Sequence, residues 1–197
     1  MESNVIAPVR KTGKERFSIA DAAQNISLLD YWSWAHSDLI VNTERGKLAE
    51  YIVASALGIH GELNSVWDSF DLLYKGKGIE VKSAAYLQSW RQVKDSYIEF
   101  SIRPTLGVIG DTGTYDNNRK RQSDTYVFCL LKHRDKQTVN PLDLDQWVFY
   151  VVPTALLNET VPIQKKIAVS FFSKYGIAPC GYSEIQSQVE RAIGEAL

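Results

Sequence analysis

The amino-acid sequence predicts an α/β protein, a mixed β-sheet flanked by α-helices, and three observations carry that prediction. The segment "NTERGKLAEYIVASALGI", residues 42–59, has helical periodicity with a start and a stop signal. Residues 66–84 read as a β-hairpin about a glycine-rich turn. Two continuous apolar runs, "TYVFCLL" (125–131) and "WVFYVVP" (147–153), suit strands buried on both faces.

In chain order, residues 1–17 are polar and mixed, a loose lead-in. Two capping-box patterns follow, Ser18-x-x-Asp21 and Ser27-x-x-Asp30. They predict a short helix and then a longer one, with Leu28, Tyr31, Trp32 and Ala35 at helical spacing. In the best helix, Asn42 or Thr43 can cap the start, Glu44 suits the first turn and Gly58 the end. Within it Glu50 shares a face with Val53, Ala54 and Leu57, which sets a carboxylate on an apolar stripe. After the hairpin come a strand in "DSYIEFSIRPT", closed by Pro104, and a polar loop from Gly107 to Asn118. Past the two apolar runs, "TALLNET" suits a short helix and "KKIAVSFF" a strand. A final helix is capped by Ser183 and Gln186, with Ile185, Val189, Ala192, Ile193 and Ala196 on one side. The expected organisation is a single domain over 18–197, its core about 28–153 and a C-terminal extension over 154–197.

A chain of 197 residues with 45% hydrophobic content can bury a sizeable core. Cys129 and Cys180 offer neither a disulfide framework nor a zinc pattern, so both read as buried small hydrophobes in a reducing compartment. With no secretory leader pattern and no run of about 20 apolar residues, a cytoplasmic protein without membrane contact is expected. A formal charge of −1 excludes a strongly basic protein, but "NNRKRQ" (117–122), "KHRDK" (132–136) and Lys165-Lys166 form local basic patches able to meet a polyanion. His36, His60 and His133 lack ligand or triad spacing, and the scattered Trp32, Trp34, Trp67, Trp90 and Trp147 read as core packing. Serine-nucleophile, phosphate-loop and dinucleotide motifs are absent from the sequence.

The chemistry concentrates in "FDLLYKGKGIEVKSA", residues 70–84. A turn at "KGKG", with Gly76 and Gly78 supplying positive φ, is closed by a two-residue loop of Gly76-Lys77 or a four-residue loop over 75–78. Either pairs Leu73 with Glu80 and Asp71 with Lys82. Opposed residues of an antiparallel pair share one side of the sheet, with Cβ atoms about 4.5–5.5 Å apart. Asp71, Leu73, Glu80 and Lys82 then share one face, and Phe70, Leu72, Tyr74, Ile79 and Val81 form the apolar opposite face. A slip of one residue would scatter the three charges.

Asp71, a gap of eight residues and then Glu80-Val81-Lys82 resembles the motif of the PD-(D/E)xK, or restriction-endonuclease-like, nuclease superfamily, with Phe70 where the motif's name has proline. The resemblance implies a restriction-endonuclease-like core. Members of that superfamily also tend to supply a glutamate from the helix before the hairpin, a place Glu50 matches. Hydrolysing a phosphodiester needs a hydroxide-like nucleophile, neutralisation of charge on the phosphoryl oxygens and a stabilised leaving oxygen, work that carboxylate-held Mg²⁺ does well. By the resemblance, Asp71, Glu80 and the Val81 carbonyl bind Mg²⁺, or Mn²⁺ in its place, and Glu50 holds the metal's waters or a second metal. Lys82 orients the attacking water and offsets phosphate charge; beside two carboxylates, this electrostatic role outranks that of a general base.

Around that centre, Ser83, Gln88, Arg91 and Gln92 are expected near the rim, and Arg119, Lys120 and Arg121 as phosphate-binding residues. Asp124 suits a structural salt bridge with Arg121. The expected function is a metal-dependent endonuclease cutting DNA in restriction or defence, as a homodimer or with a partner subunit of a defence system. Two alternatives stand beside it: a non-cleaving nucleic-acid-binding module of the same fold, and an RNA- or structure-specific repair nuclease.

Overall fold

The computed structural model describes residues 8–63, 69–109 and 114–194. The chain divides after Leu39 into two compact units.

In the first unit, β1 (Arg16–Ile19) and β2 (Ala22–Ser27) form an antiparallel hairpin. Its turn residues Ala20 and Asp21 both take positive φ, 47° and 65°, the type I′ geometry that matches strand twist. The helix expected from Ser18 and Asp21 does not form, because aspartate tolerates the left-handed region and serves the turn instead. The second capping box is real. Ser27 N–H donates to Asp30 Oδ2 at 2.7 Å and Asp30 N–H donates to Ser27 Oγ at 3.2 Å, opening α1 (Leu28–Ala35), none of whose residues is buried.

The second unit runs α2 (Asn42–Ala56), β3 (Leu72–Tyr74), β4 (Lys77–Ala85), β5 (Glu99–Ser101), β6 (Thr105–Ile109), β7 (Thr114–Lys120), β8 (Thr125–Leu131), β9 (Trp147–Pro153), α3 (Thr154–Thr160), β10 (Lys166–Ala168), α4 (Ser170–Lys174) and α5 (Ile185–Gly194). Its sheet has the order β3-β4-β8-β9, with β4 and β8 parallel and the outer pairs antiparallel. One face buries Ala49, Ile52 and Val53 of α2 with Val189 of α5 against Ile79, Val81, Val127 and Phe149. The other packs Phe100, Leu157, Ile167 and Phe172 on Tyr126, Phe128 and Leu130. All seven residues of β8 are buried, so it is the centre of the fold; each large apolar side chain covered this way contributes about 1.5–3 kcal/mol relative to exposure. The helix-flanked mixed sheet expected from the sequence is the observed one.

Several local expectations are corrected. Neither Asn42 nor Thr43 caps α2, since Val41 holds the N-cap position and the Asn42 side chain accepts from Arg45 Nη2 at 2.6 Å. Gly58 does end the helix, at φ 73°. Of the loop expected over 107–118, residues 107–109 and 114–118 belong instead to the antiparallel pair β6–β7, Val108 facing Tyr115, and residues 110–113 lie outside the described residues. The strand expected in "KKIAVSFF" stops at Ala168, because burying the adjacent Phe171 and Phe172 together suits the helix α4. At α5, Ser183 does not act as the cap. Glu184 accepts from Gly181 N–H at 2.9 Å, and Gln186 Nε2 donates to the Tyr74 hydroxyl at 3.3 Å.

Ala196 and Trp67 lie outside the described residues. Trp147 is buried, its Nε1 donating to Pro141 O, but Trp34 and Trp90 are exposed, so core packing does not account for them. Cys129 and Cys180 are buried free thiols, both pushed up by burial, Cys180 to about 11. Among the described residues no helix is long and apolar enough to cross a membrane.

Candidate active site

Lys75 and Gly76 join β3 to β4, both at positive φ, 50° and 76°, again a type I′ turn. The ladder pairs Tyr74 with Lys77, Leu73 with Gly78 and Leu72 with Ile79, two residues offset from the expected register. An offset of two leaves every side chain on its expected face. Continued one residue further, it sets Asp71 beside Glu80, not Lys82. There β3 ends: Asp71 N–H donates to Ile79 O at 3.0 Å, and Asp71 Oδ2 accepts from Val81 N–H at 2.7 Å, a carboxylate in the place of a strand partner. Gly78 does not supply positive φ. It permits a close approach, since a Cβ there would stand 2.7 Å from the Phe70 ring, and Phe70 is thereby drawn off the core face.

Lys82 bridges the two acids. Its Nζ is hydrogen-bonded to Glu80 Oε1 and lies 3.9 Å from Asp71 Oδ2. Asp71, Glu80 and Lys82 keep 26, 20 and 28% of their side-chain surface in solvent, sheltered yet reachable. Burial holds the Glu80 carboxyl above its ordinary value; Lys82 opposes that shift, and the charges of Asp71 and Glu50 reinforce it. Glu50 on α2 therefore acts on the same electrostatic centre as the hairpin. It is 13% exposed and pairs with Lys47 Nζ at 2.7 Å. Glu50 and Asp71 both line a cleft of about 300 Å³.

Two neighbours carried no signal in the sequence. Arg45 is buried, donating to Ile40 O at 2.8 Å, Ser83 Oγ at 3.1 Å and Gln88 Oε1 at 3.4 Å, and so ties α2 to β4 just past Lys82. Tyr126 lies beside Glu80 in the parallel β4–β8 ladder. Burial, then the Glu80 charge, push its hydroxyl up to about 12. An arginine in a helix and a tyrosine in an apolar run look ordinary until the register is known.

The outlying candidates separate. Arg91, Arg119 and Lys120 are exposed. Arg121 is buried, its guanidinium donating to Ile102 O at 3.0 Å, Val161 O at 2.8 Å and Asn158 Oδ1 at 2.7 Å. Those acceptors draw it inward, and the expectation that it contacts phosphate is corrected. Gln88 is tied internally as well, donating to Ala85 O at 2.9 Å. Gln92 accepts from Gln88 N–H at 2.6 Å. Asp124 is structural, but its partners are Gly78 N–H at 2.8 Å and Lys77 Nζ at 3.8 Å, not Arg121.

Among the described residues no three His, Cys, Asp or Glu side chains form a ready-made metal cage; ammonium groups lie against Glu50 and Glu80. The donor chemistry nonetheless fits a hard cation. Three carboxylates act on one centre, and the Val81 carbonyl points to the same edge as its N–H, toward Asp71. An all-oxygen set suits Mg²⁺ or Mn²⁺.

A family model described as bacteriophage T4 endonuclease IV matches residues 11–165. No curated protein and no solved structure matches the chain.

Proposed function

The chain belongs to the bacteriophage T4 endonuclease IV family and is an endonuclease; from that premise we propose that it hydrolyses DNA phosphodiester bonds, with a divalent metal, at the open end of the β3–β4 hairpin. The observation that supports this best is the grouping of Asp71, Glu80 and Lys82 where β3 stops, with Glu50 electrostatically joined to it. It resembles the arrangement of the PD-(D/E)xK superfamily, to which we assign the site.

Asp71, Glu80 and the Val81 carbonyl would hold Mg²⁺, or Mn²⁺ in its place, and Glu50 its waters or a second ion. When bound, the metal supplies Lewis-acid polarisation of the phosphoryl oxygen and a more acidic water. Lys82 orients the attacking water through its ammonium donors and offsets charge on the phosphoryl oxygens. The exposed Arg91, Arg119 and Lys120 would add salt-dependent affinity for the backbone. Cutting both strands would be served by two subunits, and a restriction or defence role suits such an enzyme.

The test is cleavage of supercoiled plasmid with Mg²⁺ or Mn²⁺ by the wild type and by Asp71→Ala and Lys82→Ala proteins of matched circular dichroism. Metal-dependent cutting that both substitutions abolish is expected. Equal activity in all three would place catalysis elsewhere.

A further inference from the structure

Resting on the reading above, we infer that the cleft beside Glu50 and Asp71 is a subsite for the nucleobase next to the scissile phosphate. At about 300 Å³ it lies at the low end of ligand pockets, room for one base with its sugar and not for a larger ligand. Tyr51, His60, Leu63 and Leu73 share its lining with the two acids. Tyr51, Leu63 and Leu73 are 56, 46 and 54% exposed, an apolar surface left open beside the reacting groups.

The chain builds this surface locally. Gly58 turns the backbone at φ 73°, Ile59 N–H returns to Ala54 O at 2.9 Å, and the reversal brings His60 edge-on to Tyr51, ring centroids 6.1 Å apart at 78°. The held pair offers a ring face for stacking, and every base presents a π-face to such a platform. Phosphate does not suit the cleft. Asp71 and Glu50 belong to the metal in the reading above and Lys47 is bonded to Glu50 at 2.7 Å; apart from these three the described lining residues include no lysine or arginine, so the phosphate stays with the metal. The uncharged end of a nucleotide enters here, and its phosphate lies toward Lys82.

The test uses the full chain and an oligonucleotide carrying one mapped cut site, with the base at each flanking position replaced in turn by an abasic residue. At one position the abasic substitution lowers wild-type kcat/KM by about tenfold, within the range of base stacking on an aromatic ring. Tyr51→Ala gives the same loss on the intact oligonucleotide and no further loss on the abasic one, whereas Tyr51→Phe keeps the wild-type rate. Equal losses from Tyr51→Ala on both substrates, or no abasic effect at either position, overturn the subsite.

A second measurement does not depend on turnover. With 2-aminopurine at that position and Asp71→Asn protein, binding quenches the fluorescence, and adding Tyr51→Ala restores it; emission indifferent to Tyr51 again overturns the subsite. The two failures are distinguishable. Loss of cutting in Asp71→Ala with no Tyr51 effect removes the subsite alone, whereas full cutting by Asp71→Ala removes the catalytic reading and the subsite with it.

Discussion

The β3–β4 hairpin carries a lysine–glutamate pair at each end, and the two behave oppositely. At the turn, Lys75 Nζ meets Glu190 Oε1 at 2.6 Å, and the Tyr74 hydroxyl and Gln186 donate to the same oxygen at 2.8 and 3.3 Å. Those hydrogen bonds, Lys75's first, pull the Glu190 carboxyl down to about 2. At the open end Lys82 also meets a glutamate, yet Glu80 is raised, because burial and the neighbouring acids outweigh the lysine. A lysine contact therefore does not define what a carboxylate is for. Glu190 is satisfied by three donors of its own fold; Glu80 is sheltered, with the charges of Asp71 and Glu50 acting on it beside that of Lys82.

The sharpest way to break that comparison is to remove each lysine in turn. Lys82→Met is expected to lower the cleavage rate at saturating metal by about 10²–10³-fold, the scale of losing one preorganised donor at a developing charge. Lys75→Met leaves the rate unchanged. Initial rates of plasmid nicking measure both, and a similar loss from the two would mean that the hairpin responds to charge wherever it is placed.

A second pair tests buried against exposed charge. Arg121 serves five oxygens, on Ile102, Leu157, Asn158, Val161 and Gln164. Orphaning them with Arg121→Met is expected to destabilise the fold by about 3 kcal/mol, since an unsatisfied buried acceptor costs roughly 1–3 kcal/mol and several are left together. Arg119→Met, two residues away and exposed, stays within about 0.5 kcal/mol and instead weakens the salt dependence of DNA binding. Urea unfolding and binding at two ionic strengths separate them. An Arg121 variant as stable as the wild type would return that residue to the surface.

The same contrasts explain what the sequence made legible. The charged face of the hairpin was readable because a period of two survives a register offset of two, even though "KGKG" hides which glycine turns the chain. The contacts of Asp71 were not readable, since the hairpin turns at Lys75-Gly76 and its ladder stops at Leu72, leaving Asp71 to accept from Val81 N–H through its side chain. β8 announced itself by being apolar throughout, but β6–β7 did not, since "TYDNNRK" has no alternation to signal a backbone ladder. In "NNRKRQ" the three basic side chains look alike. Only Ile102 O and the oxygens around the end of α3 single out Arg121, and they come from 19 to 43 residues away in the chain.

The smallest effect, and the one that returns to the two ends of the hairpin, is in the pH dependence of stability. Glu190 titrates lower in the folded chain, at about 2 against 4.5, so its contribution is present above about 4.5 and is lost as pH falls toward 2. Glu80 is raised, so the sign inverts: its contribution is fully present below its unfolded value and is lost as pH rises through the folded one. Glu190→Gln should therefore unfold at a lower temperature than the wild type at pH 7, with the gap closing as the solution is acidified. Glu80→Gln should be at least as stable as the wild type at pH 7, because it removes a charge that burial disfavours, and should converge on it in acid. Thermal unfolding of the three proteins between pH 7 and pH 3 measures both slopes. Parallel curves for the two variants would mean that the ends of the hairpin hold their glutamates alike.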